Sequence, residues 1–283
     1  MAMKLTLFYF VRTLLRIRRS HVNSSLRKEV RRSWFKVFVF ARYDRHACVA
    51  DIVGYKVKFL DSRFFGYMFN ELFIENLYHF DSKSDYPRIF DCGSNIGMSV
   101  LYFKKLYPNA IITAFEPDEE AYLCLKENIE SNRLDAITAH KMALSKKEGV
   151  IDFYHDEEVV GSLMMSTVKE RMHKQNRVVQ TAPLSKYIDG EIDFLKMDIE
   201  GAELEVLEEL CQANKLNLVK QMVIEYHHHI SADSDTFSRM LKLLEDAGFG
   251  YQIESYGNRP LALGVYQDIL ISAYRKIFRD PND

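Results

Sequence analysis

Long apolar runs, structural cysteine pairs and helix-breaking residues are all scarce in this 283-residue chain. The longest strongly apolar run near its start, Leu5 to Val11, falls far short of the ~20 residues that span a bilayer. Six prolines and 12 glycines exclude collagen-like and low-complexity classes. Four cysteines, Cys48, Cys92, Cys124 and Cys211, share no CxxC spacing, and no signal-peptide cleavage pattern precedes them. They read as free thiols in a reducing compartment, each a small buried hydrophobe, and the chain as cytoplasmic. What is present is 47% hydrophobic and 28% charged residues, enough to bury a core and too little net charge for disorder. The length exceeds the usual ~100–200 residues per domain, but α/β domains reach ~250 as one unit.

The overall charge of −2 hides an asymmetry. Residues 1–45 carry twelve Lys/Arg against Glu29 and Asp44, a net +10 that leaves −12 on the remainder. Residues 4–19 read as a helix, with Leu7, Phe10, Val11, Leu14, Leu15 and Ile17 on one face and Arg12, Arg16 and Arg19 on another. Such a helix either lies in a membrane interface, here at the inner membrane face, or docks on its own domain. A basic helical extension over 1–50 is therefore expected ahead of a domain over 51–283.

Residues 51–60 alternate as strand-turn-strand, and 67–80 place Phe69, Leu72, Phe73, Asn76, Leu77 and Phe80 at helical spacing. From residue 88 strands and helices alternate: strands at 88–91, 110–115, 136–142, 192–197 and 218–226, helices at 97–106, 118–131, 202–214 and 235–246. Strands at 249–254 and 268–275 follow as an antiparallel hairpin. This order predicts an α/β fold with a mostly parallel seven-stranded sheet, right-handed crossovers and helices on both faces. Residues 155–183 are polar and fit no element, as a surface insertion or a substrate lid would.

In such sheets ligands sit at the carboxyl ends of strands, where strand order reverses. The first strand ends in Asp91-Cys92-Gly93-Ser94-Asn95-Ile96-Gly97. This is neither the GxGxxG of a pyrophosphate turn nor a P-loop with its Lys, so the ligand has no phosphates to cradle. Free N–H groups at a helix start would suit a carboxylate instead. The second strand ends in Glu116, where an acid can accept both hydroxyls of a ribose. A ribose without pyrophosphate fits S-adenosylmethionine. The fourth strand ends in Asp198-Ile199-Glu200-Gly201-Ala202-Glu203 and the fifth in Glu225-Tyr226-His227-His228-His229. Clustered acids there need a base role, hydrogen-bond donors or a cation.

The segments FDCGSNIGMSVLYF (90–103), AFEPDEEAYLCLKENIE (114–130), MALSKKEG (142–149) and DFLKMDIEGAELEVLEEL (193–210) resemble the motif series of the FkbM family of S-adenosylmethionine-dependent methyltransferases. FNELFIENLYHF (69–80) is similar to the family's helix before its nucleotide-binding core. The resemblance covers roughly residues 50–230, with the cofactor-binding core about 86–230. It implies a class I methyltransferase, Rossmann-like fold and methylation, mainly of hydroxyls on sugars, glycans, polyketides and other natural products. By position, Asp91, Gly93, Ser94, Asn95 and Gly97 would wrap the methionine end of the cofactor. Glu116 would hold the ribose, Met142 and Ala143 would lie near adenine, and Asp198 would line the crevice. Glu200 would contact substrate, and Glu203 would cap or pair on the following helix.

For transfer to an alcohol the protein must supply alignment and a base, and His227 is the expected base because imidazole titrates near ~6.5. Asp198, Glu225 and His227 could instead hold a Mg2+-type ion that orients a vicinal diol; the reading preferred here has no metal. The missing GxGxxG disfavours a nicotinamide oxidoreductase. Nucleic acid is disfavoured as a partner by the −12 body and by Asp198-Ile199-Glu200 in place of an Asn/Asp-Pro-Pro-aromatic motif. The alternative of another class is a non-catalytic scaffold whose basic arm binds a membrane or partner.

Overall fold

The structure, a computed structural model, describes residues 13, 15–17, 24–43, 48–155, 175–228, 236–256 and 267–276. Helix α1 (Ser24–Tyr43) opens the long described run. Its Leu26, Val30, Ser33, Trp34 and Val37 recur at helical spacing and are buried. Strands β1 (Val49–Ile52) and β2 (Tyr55–Lys58) form a hairpin around Val53 and Gly54, both at positive φ. Helix α2 (Ser62–Phe69) starts on Asp61, whose carboxylate caps the Arg63 and Phe64 N–H groups. It runs directly into a π-helical turn, Asn70–Glu75. The helix expected over 67–80 stops there, because Asn76 takes the left-handed conformation (φ 57°) that ends helices.

The remaining elements are β3 (Arg88–Cys92), α3 (Met98–Leu106), β4 (Ile111–Phe115), α4 (Glu119–Ser131), β5 (Ile137–His140), β6 (Ala143–Leu144), β7 (Gly149–His155), β8 (Gln175–Ala182), β9 (Ile192–Met197), α5 (Glu203–Gln212), β10 (Val219–His228), α6 (Phe237–Asp246), β11 (Phe249–Tyr256) and β12 (Gln267–Arg275). The main sheet has the order β11-β12-β10-β9-β3-β4-β5. Strand order reverses beside β3, whose neighbours are β4 and β9. All pairings are parallel except those of β12, which lies antiparallel between β10 and β11. The closing hairpin thus forms one edge of the sheet, with the last strand, β12, inserted between β10 and the edge strand β11. This is the α/β, class I methyltransferase architecture.

Strand periodicity divides the core into two layers. Ile89, Ile112, Ala114, Phe194, Val223 and Leu270 face α1, α2, α3 and α4. Phe90, Phe115, Leu195, Met222, Ile224 and Ile271 face α5 and α6. Adjacent residues go to opposite sides because successive Cβ atoms alternate, and both faces are covered, as a parallel sheet requires.

Three expectations change. The third strand ends at His140 instead of 142; Ala143–Leu144 turns away to pair with Thr181–Ala182 of β8 in a separate sheet of order β6-β8-β7. Within 155–183, residues 175–182 are a strand paired with β7, while 156–174 lie outside the described residues. Cys92 and Cys124 are buried thiols, but Cys48 and Cys211 are exposed. Of the helix expected over 4–19, Thr13 and Ile17 are buried, Leu15 is exposed and Arg16 pairs with Glu75; the rest lies outside the described residues.

Candidate active site

The carboxyl ends of β3, β4, β9 and β10 open into a cavity. At the tip of β3, Asp91 is fully buried and accepts a hydrogen bond from the Ser99 hydroxyl at 2.5 Å. Gly93 has φ +85°, and a Cβ there would lie 1.8 Å from the Asp198 carbonyl oxygen. Only glycine admits that approach of the β9 loop. Gly97 is likewise left-handed and meets Leu125 of α4, while Asn95 adopts φ 46°.

The turn is tied to the tip of β4 and to itself. Gly93 and Ser94 donate their N–H groups to the Phe115 carbonyl at 3.0 and 2.9 Å, and Gly97 donates to the Ser94 carbonyl. The Asn95 N–H is held by Glu116 Oε2 at 2.7 Å, and the Ile96 N–H by the Asn95 side chain. The expected row of free N–H groups for a carboxylate is therefore absent from 93–97, since each group has a partner inside the protein. A cation stands beside the turn instead. Lys196 Nζ lies 2.5 Å from the Gly93 carbonyl oxygen, 3.6 Å from Asp91 and 3.4 Å from Asp198. Burial opposes its charge, but Asp198, Asp91 and Glu225 outweigh that cost and hold the ammonium above its ordinary pKa.

Glu116 is 4% exposed yet lines the cavity. Its Oε1 accepts the Asp118 N–H at 2.8 Å, and its Oε2 accepts that of Asn95. Burial, against these hydrogen bonds, pushes its carboxyl up to about 8. Each oxygen can accept a second hydrogen bond, so two hydroxyls on adjacent carbons would complete it. Beside it Phe115, Pro117, Met142, Ala143 and Leu144 line the cavity. Tyr187 fixes this patch, its hydroxyl 3.0 Å from Met142 Sδ. The donor set fits a ribose with a flat apolar base next to it.

The other half of the cavity is acidic. Period-two alternation puts Asp91, Lys196, Glu225 and His227 on the sheet face covered by the N-terminal helices, with Asp268 opposite His227 in the β12 register. Glu203, the first residue of α5, folds the turn before it: its Oε1 accepts the Ile199 and Gly201 N–H groups. Glu200 in that turn has φ 61°, the kind of strained backbone that clusters at functional sites. The same Glu203 oxygen lies 2.8 Å from His227 Nδ1, and Glu200 lies 3.1 Å from Nε2.

Asp198, Glu200 and Glu225 line the cavity, but His227 does not. It is 5% exposed and sits behind the acids with a carboxylate at each ring nitrogen. The expected base is thus brought to the site without facing its solvent space. Asp198, Glu225 and His227 each present one atom within 4.8 Å of the others, a spacing a metal ion could use. The Lys196 ammonium already faces that group.

Five lining residues come from upstream of the sheet: Tyr67, Met68, Glu71, Leu72 and Tyr78. Tyr78 donates from its hydroxyl to Glu225 Oε2 at 3.4 Å. Burial, reinforced by Asp198 and Glu71, pushes the Glu225 carboxyl up to about 8. Glu71 and Tyr78 lie inside the 69–80 segment and Lys196 inside 193–210, but the motifs gave them no role at the site; Tyr67 and Asp268 lie outside the quoted segments. Lys196 alone left a signal, a lysine inside an otherwise apolar strand, which cannot be buried without carboxylate partners.

The family description "Methyltransferase FkbM domain" matches residues 91–251. Among curated proteins, "Methyltransferase 1" of Beauveria bassiana (strain ARSEF 2860) is 26% identical, covering 71% of this chain and 87% of its own. "Methyltransferase sdnD" of Sordaria araneosa is 31% identical, covering 65% of this chain and 81% of its own. "2-O-methyltransferase NoeI" of Sinorhizobium fredii (strain NBRC 101917 / NGR234) is 29% identical over 43% of this chain and 56% of its own. With its glycine turn, ribose-type acid and DIEGAE turn gathered at one strand-end cavity, this chain belongs to the FkbM family of methyltransferases.

Proposed function

We propose that this methyltransferase transfers the methyl group of S-adenosylmethionine to a hydroxyl on a sugar, glycan or natural-product acceptor. The observation that carries the reading is the division of one cavity into two halves. One holds Glu116 and the apolar patch around Met142; the other holds Asp198, Glu200, Glu225, Glu71 and the hydroxyls of Tyr67 and Tyr78. Carboxylates and tyrosines recognise hydroxyl groups through hydrogen bonds. A relative named as a 2-O-methyltransferase supports the same chemistry.

In this reading Asp91, Gly93, Ser94, Asn95 and Gly97 shape the donor pocket, and Lys196 faces the donor's carboxylate. Glu116 takes the ribose hydroxyls, and Met142 and Ala143 pack on adenine. S-adenosylmethionine supplies an electrophilic methyl group on a sulfonium with a good leaving group. The protein's share is then alignment, which lowers barriers by about 7–11 kcal/mol in well-oriented cases, plus a proton acceptor. Asp198 and Glu200 orient the acceptor, and His227, between Glu203 and Glu200, positions them. Lys196 offsets charge in the acidic half, so the reading requires no metal.

The test is a panel of neutral methyl glycosides, free glycans, lipid-linked glycans and simple alcohols incubated with radiolabelled S-adenosylmethionine. Label recovered as an ether supports the reading; label on nitrogen or carbon only, or none with cofactor bound, overturns it. A scaffold without catalysis is separated by calorimetry, since it need not bind S-adenosylmethionine.

Among the described residues no helix is long and apolar enough to cross a membrane. A peripheral contact through residues 4–19 is proposed from charge. Separately, helix α1 carries exposed Lys28, Arg31, Arg32, Phe35 and Lys36. Each Lys or Arg near an anionic surface contributes about 1 kcal/mol. Co-sedimentation with anionic vesicles at low salt, lost on charge reversal at Lys28, Arg31 and Arg32, supports this contact. No binding at low salt removes it.

A further inference from the structure

The cavity wall opposite the strand tips carries a carboxylate to which no role has yet been given. Glu71 is the second residue of the π-helical turn Asn70–Glu75. Turns of this kind are rare and recur at functional sites. Here the turn ends as the Asn76 and Leu77 N–H groups both close on the Glu71 carbonyl. The segment is firmly seated: Phe65, Met68 and Phe69 before it and Leu72, Phe73 and Ile74 within it are all buried. Glu71 lines the same cavity as Asp198 and Glu225. One turn earlier, Tyr67 lines the same cavity, and its hydroxyl helps to hold the Glu71 carboxyl down.

The other acids of the cavity are engaged with charged or buried groups. Asp198 lies 3.4 Å from the Lys196 ammonium, Glu200 3.1 Å from His227 Nε2, and Glu225 takes the Tyr78 hydroxyl. His227 itself stands behind the wall. Glu71 instead has a neutral, half-exposed tyrosine, Tyr67, beside it on the cavity wall.

We propose that Glu71 is the catalytic base, the carboxylate that takes the proton from the acceptor hydroxyl during methyl transfer. The assignment rests on the O-methylation reading above. In the step, the hydroxyl proton passes to the Glu71 carboxylate and the oxygen's electron pair forms a bond to the methyl carbon. The carbon–sulfur pair leaves with sulfur, which becomes a neutral thioether. Glu71 then returns its proton to water, so the net products are the ether, S-adenosylhomocysteine and one proton.

The electrostatics agree with the geometry. Burial, with Asp198 and Asp268 adding, raises the Glu71 carboxyl to about 7, while Tyr67 and Lys196 pull it down. Glu225 also faces it from β10, and the two carboxyls raise one another's neighbourhood charge; Tyr78 completes the titratable surroundings. A base with a pKa near the working pH is both ionised and basic enough to act.

The experiment compares wild type, Glu71→Gln, Glu71→Asp and Tyr67→Phe, using as probe the neutral methyl glycoside or alcohol that wild type methylates best. Glu71→Gln should lower turnover by about 10²–10⁴-fold with S-adenosylmethionine affinity unchanged by calorimetry. The rise of kcat/KM with pH near 7 should vanish with it and persist in Glu71→Asp. Tyr67→Phe removes a hydroxyl that favours the ionised form, so the same rise should move to higher pH. Turnover of Glu71→Gln within a factor of two of wild type overturns the proposal. If wild type methylates no hydroxyl in the panel, the O-methylation reading fails separately. Where a hydroxyl is methylated, a 13C titration of labelled glutamate carboxyls, with the Glu71 signal assigned by its loss in Glu71→Gln, gives a second check: the midpoint should match the pH rise of kcat/KM, and a midpoint below about 5 overturns the proposal.

Discussion

Glu116 and Lys196 show how single residues hold this site. Glu116 already ties the Asn95 and Asp118 N–H groups, so its carboxylate is fixed before any ligand arrives. Glu116→Ala should weaken S-adenosylmethionine binding by about 1.5–3 kcal/mol, as for a hydrogen bond to a charged group, measured by calorimetry. An unchanged affinity would remove it from the ribose role. Lys196 is 3% exposed in its side chain and lies between Asp91 and Asp198. Replacing it by Met strands two carboxylates near one another. The expected loss is about 3–5 kcal/mol of stability, read from the midpoint of urea unfolding. A loss below 1 kcal/mol would mean that these acids are not balanced by the lysine.

At the scale of elements, α1 is the least expected feature. The sequence marks 1–45 as a basic arm, but the helix inside it belongs to the same buried cluster as Ile89, Phe103 and Phe194 of the sheet layer. Ser33 Oγ also accepts the Val53 N–H at 2.7 Å, joining α1 to the β1–β2 turn. Trp34, the one tryptophan in the chain, is 4% exposed at the centre of this contact. Trp34→Ala should cost about 3–5 kcal/mol. In wild type, tryptophan fluorescence and circular dichroism should follow one unfolding transition, since α1 and the sheet share a core. Two separated transitions would show that α1 folds independently. α1 also braces α2, and α2 with its π-turn presents Tyr67 and Glu71 to the cavity. The basic segment is therefore structural support for the active site on one side and a cationic surface on the other.

At the scale of the whole molecule, the acidic cavity makes stability depend on pH. Glu116 and Glu225 are raised to about 8 and Glu71 to about 7, burial leading in each case. Unfolded glutamates titrate near ~4.3, so the folded state holds protons that the unfolded state releases. Stability from these groups is fully present below their unfolded pKa and is lost as pH rises through 7–8. The ligand-free protein should melt at a higher temperature at pH 6 than at pH 8.5. Glu225→Gln, which stays neutral, should flatten that decline. A melting temperature that is flat or rises over this range would contradict the raised carboxyls.

The sequence by itself determined the strand-helix order and which residues stand at the strand tips around the half of the cavity proposed for the cofactor. Asp91, Gly93, Gly97 and Glu116 are legible because each stands where an apolar period-two run stops, and a strand tip faces ligand in any such sheet. Asp198 and Glu200 follow by the same rule. Tertiary structure alone decided the half proposed for the acceptor. Glu71 lies 127 positions before Asp198 and Asp268 lies 41 after His227, and no local pattern encodes a meeting across that distance. Folding of β12 between β10 and β11 places Asp268 beside His227, and docking of α2 swings Glu71 over the sheet. The burial of His227 behind Glu200 and the use of every 93–97 N–H inside the turn were equally invisible in the sequence. Motif spacing reports which chain positions reach the strand tips; packing and hydrogen-bond satisfaction decide which of their atoms remain available to a substrate.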